Sequence, residues 1–143
     1  MKFKEFLFEF AFEQSKALEK IEEIIPQLSL HLAKCLAMPK SRDLNHWKTE
    51  IRSFIFKIDN FANIKTKSKR IKKKNCYAEF GYLFKDHKIN QIIGIIESDY
   101  NIELTRNEKI ILSQKIKNGY EQFFDVLEAD KIEIENTFQI FGI

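Results

Sequence analysis

Residues that break helices are scarce in this chain, which has only four glycines and two prolines among 143 residues. Folds built from many short strands need tight turns, and tight turns depend on these two residue types. The sequence therefore predicts an all-α fold. The length fits one domain, and a hydrophobic content of 44% is sufficient for a core. We expect a single helical domain over residues 1–143, a compact bundle of five to seven helices.

Apolar residues recur at helical spacing in the first part of the chain. At 100° per residue, one face of the first segment collects an apolar stripe formed by Phe3, Leu7, Phe10, Leu18, Ile21 and Ile25. Pro26 lacks an N–H and disfavours helix at the residue before it, so we expect it to end or kink this helix. A second segment is predicted from Gln27 to Met38.

The third predicted helix begins after Asp43, which is a suitable N-cap residue. Its apolar stripe is the clearest in the sequence: Leu44, Trp47, Ile51, Phe54, Ile55, Ile58 and Phe61. A lysine-rich stretch, residues 65–74, follows as a connection or as the start of a fourth helix. The apolar positions of that helix would be Cys76, Tyr77, Phe80, Leu83 and Phe84.

The last third of the chain contains one ambiguous segment and two further helices. We expect a turn over residues 86–90, and residues 89–100 are rich in isoleucine, which fits a short helix or a buried strand. Helix is preferred because a single strand would have no partner. Thr105 and Glu108 form a capping-box pattern, in which each side chain accepts from the other's backbone N–H. The helix that they open would bury Leu112, Ile116, Tyr120, Phe123 and Leu127, and a last helix, about 130–141, would end at Gly142.

The cysteine content and the absence of a long apolar run indicate a cytoplasmic protein. Cys35 and Cys76 could form one bridge at most, whereas small secreted scaffolds carry more. Glutamates interrupt the apolar N-terminal stretch, which argues against an export signal, and we expect no membrane association. Enrichment in Ile, Lys, Asn and Phe fits an AT-rich bacterial genome.

The motifs of common enzyme classes are missing. The glycines are scattered, so they cannot form a loop that cradles phosphates, and no nucleophile elbow is present. We therefore expect no enzyme activity, no cofactor and no metal site. A third hypothesis is a helical-bundle site at Asp43, His46 and Glu50, which share a helix face, but a zinc site normally has four ligands in close pairs. His31 and Cys35 are expected to be core residues rather than ligands.

A basic segment between residues 65 and 74 contains seven cations and no acid, and the remaining chain has 17 basic and 21 acidic residues, a net charge of −4. Clustered cations bind nucleic-acid phosphates because neutralised phosphates release counterions. This segment supports an alternative function, a nucleic-acid-binding helical module. Its candidate residues are Lys65, Lys67, Lys69, Arg70, Lys72, Lys73 and Lys74.

Phenylalanine is unusually abundant, with 14 in the chain and five in the first twelve residues. Phe8 and Phe12 lie one helical turn apart and opposite the apolar stripe of the first helix, and Phe56 is similarly out of line on the third. Apolar residues on two faces of a helix indicate a second contact. Our leading hypothesis is therefore a small, non-enzymatic interaction protein of the antitoxin, immunity or adaptor type. It would bind a protein partner or itself, for example as a homodimer, through Phe8, Phe12 and Phe56.

Overall fold

The computed structural model describes residues 3–62, 80–128 and 132–143, with side chains from residue 16 onward and without that of residue 128. These ranges are helical and contain no strand. They form α1 (Phe3–Ala37), α2 (Leu44–Ala62), a 3₁₀ helix (Gly81–Phe84), α3 (Asp86–Tyr100), α4 (Arg106–Glu128) and α5 (Ile134–Phe141). The all-α prediction is confirmed, and the five described α-helices are at the lower edge of the predicted number.

Helix α1 runs through Pro26 without a break, so the prediction of two separate segments is wrong. Proline in a helix interior costs about 3 kcal/mol because it lacks an N–H and its ring meets the carbonyl of the preceding turn. The turns on both sides of Pro26 bury Ile21, Ile25 and Leu28 completely or nearly so. Each such side chain gains about 1.5–3 kcal/mol from burial. Burial on both sides therefore outweighs the cost of the proline.

The core lies between α1 and the other elements that pack on it, α2, α3, α4 and the 3₁₀ helix. The predicted stripe of α2 is confirmed, with Trp47, Ile51, Phe54, Ile55 and Ile58 buried. The predicted stripe of α4 is also buried in full. Helix α5 packs on α4 and α2 and closes the other side of the aromatic core.

Most of the described aromatic rings form this core. Phe84 stacks on Tyr120 with ring centroids 4.6 Å apart, and Phe141 meets Tyr120 edge-on at 5.3 Å. Phe123 and Phe124 extend the cluster. The abundance of phenylalanine in the second half of the chain thus serves internal packing, because offset and edge-to-face ring pairs add to the gain from area burial.

A buried hydrogen-bond pair joins α1 to α4. The Tyr120 hydroxyl donates to the carbonyl of Ile25 at 3.1 Å. It lies 2.6 Å from the Ser29 hydroxyl, which must then be the donor to Tyr120. Burial raises the pKa of Tyr120 far above its ordinary range. The two hydroxyls satisfy each other inside the core, so they fix the relative position of the two helices.

Around the start of α3, the structure differs from the sequence prediction in two places and agrees with it in one. Residues 86–90 are the first turn of α3 rather than a loop, because Ile89 is fully buried and Lys85 is the extended residue before the helix. The ambiguous segment 89–100 is helical, as preferred. Residues 81–84 form a 3₁₀ turn rather than part of the predicted fourth helix, whose earlier residues, 65–79, lie outside the described residues.

The predicted start of α4 and the predicted end of α5 are confirmed. The Thr105 hydroxyl accepts from the Glu108 N–H at 3.2 Å, and the Glu108 carboxylate accepts from the Thr105 N–H at 3.1 Å. Gly142 ends α5 with φ +75°, the left-handed conformation that glycine adopts without steric cost. Helix α5 begins at Ile134, a turn later than predicted.

Candidate functional site

Phe56 lies on the outer face of α2, as the sequence predicted from its position. Its ring is 55% exposed, while its neighbours Phe54 and Ile55 are buried. One turn earlier on the same face, the Arg52 guanidinium donates to the Glu135 carboxylate at 2.6 Å and lies 5.6 Å from the centre of the Phe138 ring. Arg52 is therefore held in place beside an exposed aromatic ring.

Phe8 and Phe12 belong to the first turns of α1, and their side chains lie outside the described residues. Their spacing of four residues places them on one face of the helix. The His31 ring meets the Phe54 ring edge-on at 5.2 Å, which gives the register between α1 and α2. Helix α2 continues for only two turns beyond Phe54, whereas α1 has more than seven turns before His31. The beginning of α1 therefore extends past the end of α2.

The basic segment of the alternative hypothesis also lies outside the described residues. This applies to each of its cations: Lys65, Lys67, Lys69, Arg70, Lys72, Lys73 and Lys74.

His31 and Cys35 lie one turn apart on α1, where the His31 ring meets Phe54 of α2 and Cys35 is 2% exposed. The His31 Nδ1 lies 2.8 Å from the Gln27 carbonyl. Burial lowers the pKa of His31, against the opposing effect of this hydrogen bond. Cys35 is a buried free thiol, and burial raises its pKa to about 11. Cys35 is therefore the core residue that the sequence predicted, whereas His31 is only half-buried, at the edge of the contact between α1 and α2.

The third hypothesis, a site at Asp43, His46 and Glu50, has no support in the geometry. Asp43 marks the start of α2, where its carbonyl accepts from the Trp47 N–H at 3.0 Å and its own N–H donates to the Ser41 hydroxyl at 3.1 Å. Within the described ranges, no three His, Cys, Asp or Glu side chains are grouped so that they could hold a metal ion.

An open groove of about 590 Å³ runs between α3 and α4, and sequence analysis did not identify it. Its ends carry two ion pairs between the helices, Glu97 with Lys109 at 3.3 Å and Asp86 with Lys117. The hydrogen bond that the Glu97 carboxylate accepts from the Leu104 N–H is the main cause that lowers the pKa of Glu97, and Lys109 lowers it further. The remaining lining residues are Asn90, Ile93, Arg106, Ile110, Ser113 and Gln114.

A second groove, of about 740 Å³, lies beside the first and shares Asp86 and Lys117 with it. Its wall is formed by the 3₁₀ helix and the start of α3. Tyr82 is 42% exposed here, and a hydrogen bond with the Glu22 carboxylate raises the pKa of its hydroxyl. Neither groove follows from the sequence alone, although Ser113 and Lys117 in the first groove are polar residues one helical turn apart on a face of α4 that meets another helix.

Comparison of the chain with protein families, with curated proteins and with solved structures gives no match. In the part of the chain that the structure describes, no helix has the length and apolarity needed to cross a membrane. In the described residues, the fold is all-helical and presents an exposed aromatic side chain on α2 together with the two grooves described above.

Proposed function

We propose that this chain is a small, non-enzymatic interaction protein that acts by binding a protein partner or a second copy of itself. The observation that carries the proposal is Phe56, a ring that is 55% exposed beside an arginine already held by Glu135 and Phe138. Aromatic residues and arginine are enriched in the centres of protein interfaces. A side chain that is ordered before binding loses less entropy when the complex forms.

The length of α1 gives further support. Helix α1 has 35 residues and α2 has 19, which at 1.5 Å per residue makes α1 longer by about 24 Å. The extra length includes the phenylalanine-rich beginning of α1, where Phe8 and Phe12 share a face. An amphipathic helix with apolar residues on a second face is suited to packing against a partner.

Proteins of the antitoxin, immunity or adaptor type act in this way, and we propose that this chain belongs to that group of functions and is cytoplasmic. Such proteins work by occupying a surface rather than by making or breaking bonds. The proposal therefore assigns no catalytic residue, cofactor or metal to the chain.

The test compares Phe56→Asp with Ile111→Asp, a matched control, because Ile111 is 53% exposed and lies on a different helix, α4. If the chain binds itself, we expect Phe56→Asp to abolish self-association, which is measured as mass in solution over a range of concentrations. If it binds another protein, we expect Phe56→Asp to abolish capture of that partner in an affinity pull-down. Ile111→Asp should leave both unchanged, and circular dichroism should show equal helix content for the two variants. A combined Phe8→Asp and Phe12→Asp variant extends the test to α1.

The same pull-down, repeated with nuclease, distinguishes the alternative function. A nucleic-acid-binding module using Lys65, Lys67, Lys69, Arg70, Lys72, Lys73 and Lys74 would lose its captured material on nuclease treatment, and its binding would weaken steeply with salt. Assembly and capture that are identical in wild type, Phe56→Asp and the combined α1 variant would contradict the leading proposal.

A further inference from the structure

Ser113 has an unusual environment in the groove between α3 and α4. It is 9% exposed, and its hydroxyl forms no hydrogen bond with any described residue. The other two buried polar residues in the described ranges, Ser29 and Thr137, each form a hydrogen bond through the side-chain hydroxyl. Buried hydroxyls in native proteins almost always have a partner, either protein or a bound molecule. The Ser113 hydroxyl is thus available to a group that enters the groove.

The residues around Ser113 offer both donors and acceptors over an apolar floor. Asn90 and Gln114 each present an amide N–H₂ and an amide oxygen. Ile93, 1% exposed, forms the floor, and Ile110, 46% exposed, forms one edge. A peptide backbone presents N–H and C=O groups in alternation, so this mixture of partners fits an extended peptide.

The charges of the groove argue for a peptide rather than a polyanion. The lining has three cations (Arg106, Lys109 and Lys117) and two carboxylates (Asp86 and Glu97), so the groove has a surplus of one positive charge, which matches one acidic side chain rather than a run of phosphates. Each carboxylate already has a lysine partner, Lys117 and Lys109 respectively. Arg106, at the Glu97 end, forms no ion pair with a described residue, so its guanidinium is available to an acidic side chain of a ligand.

We propose that this groove binds an extended segment of a protein partner that carries an acidic residue and, two positions away, an apolar residue. Arg106 and Ile110 are four residues apart on α4, about 6 Å along the helix axis. Side chains two positions apart on an extended peptide point the same way and lie about 6.6 Å apart. The acidic side chain would meet Arg106, the apolar one Ile110, and the peptide backbone Ser113, Asn90 and Gln114. The inference shares with the proposed function only that the ligand is a protein, and it concerns a different surface.

The experiment selects ligands from a phage-displayed library of random short peptides on the full chain. A dye-labelled synthetic peptide of the enriched sequence is then titrated by fluorescence anisotropy. We expect an acidic-x-apolar pattern among the enriched peptides. Arg106→Glu should weaken binding about tenfold or more, as a hydrogen bond to a charged group is lost and repulsion is added.

Two matched controls lie on the same helix and outside the groove. Lys115→Glu makes the same charge change as Arg106→Glu at an exposed position. Ile110→Asp should also weaken binding, because it removes the apolar contact, and Ile111→Asp is its control. Both controls should bind the peptide as wild type does, and so should Phe56→Asp. The experiments therefore distinguish a failure of the proposal for Phe56 from a failure of the proposal for the groove.

Two outcomes would overturn the inference. One is a selection without the acidic-x-apolar pattern, or with peptides that bind Arg106→Glu as tightly as wild type. The other is binding of a labelled single-stranded RNA that Arg106→Glu abolishes, which would assign the groove to nucleic acid.

Discussion

At the scale of single residues, the close approach of α4 and α5 depends on Gly119. A Cβ atom at this position would overlap Cδ1 of Phe141 and lie 2.8 Å from its Cε1. The Phe141 ring is 1% exposed and packs against Tyr120 and Phe123, so it has no free space into which it could move. Gly119 is therefore required for packing, although its helical backbone would accept any residue.

We expect Gly119→Ala to lower the free energy of unfolding by about 1–3 kcal/mol, the usual cost of overpacking a core. Gly94→Ala is the matched control, since nothing lies within 4 Å of an added Cβ on its exposed face of α3. That change should stabilise the fold by up to about 1 kcal/mol, because alanine has the higher helix propensity. Urea denaturation followed by circular dichroism measures both, and equal stability of the two variants would contradict the packing described here.

At the scale of helices, sequence reasoning succeeded where a local rule was sufficient. The stripe of α2 and the capping box of α4 were predictable because helical period and reciprocal capping involve residues close in the chain. Pro26 was misjudged, since its local cost is offset by burial against elements distant in sequence. The α3–α4 groove could not be predicted, because its width depends on how the two helices are separated by the side chains between them.

The capping box gives a prediction for helix α4. We expect Thr105→Ala to lower the free energy of unfolding by about 0.5–2 kcal/mol, because the Glu108 N–H loses its acceptor. Thr105→Ser keeps the hydroxyl and should stay close to wild type. Thermal unfolding of the three proteins checks this, and a serine variant as unstable as the alanine variant would exclude capping as the cause.

At the scale of the whole molecule, the α1–α2 contact makes stability depend on pH through His31. Burial lowers the pKa of His31 below its ordinary 6.5, so the folded chain binds a proton less readily than the unfolded chain. The unfolded state therefore gains protons first, and stability falls as the pH decreases through about 6.5.

We expect the His31→Gln variant to lose less stability than wild type between about pH 7 and pH 5, because the shifted group is gone. His87→Gln removes an exposed histidine on α3, whose charge is not among those that act on His31, and should keep the wild-type slope. Unfolding in urea at several pH values measures the slopes. Identical slopes for wild type and His31→Gln would show that this imidazole does not set the acid response.

The ion pair of Asp86 with Lys117 lines both grooves, and its two side chains are 74% and 36% exposed. Such an exposed pair stabilises the fold by about 1 kcal/mol at most, so a ligand can draw either side chain away at small cost. A molecule that turned Lys117 toward itself in one groove would leave Asp86 uncompensated in the other. Occupancy of the two grooves would then be thermodynamically linked, and each ligand would change the affinity for the other by the same factor.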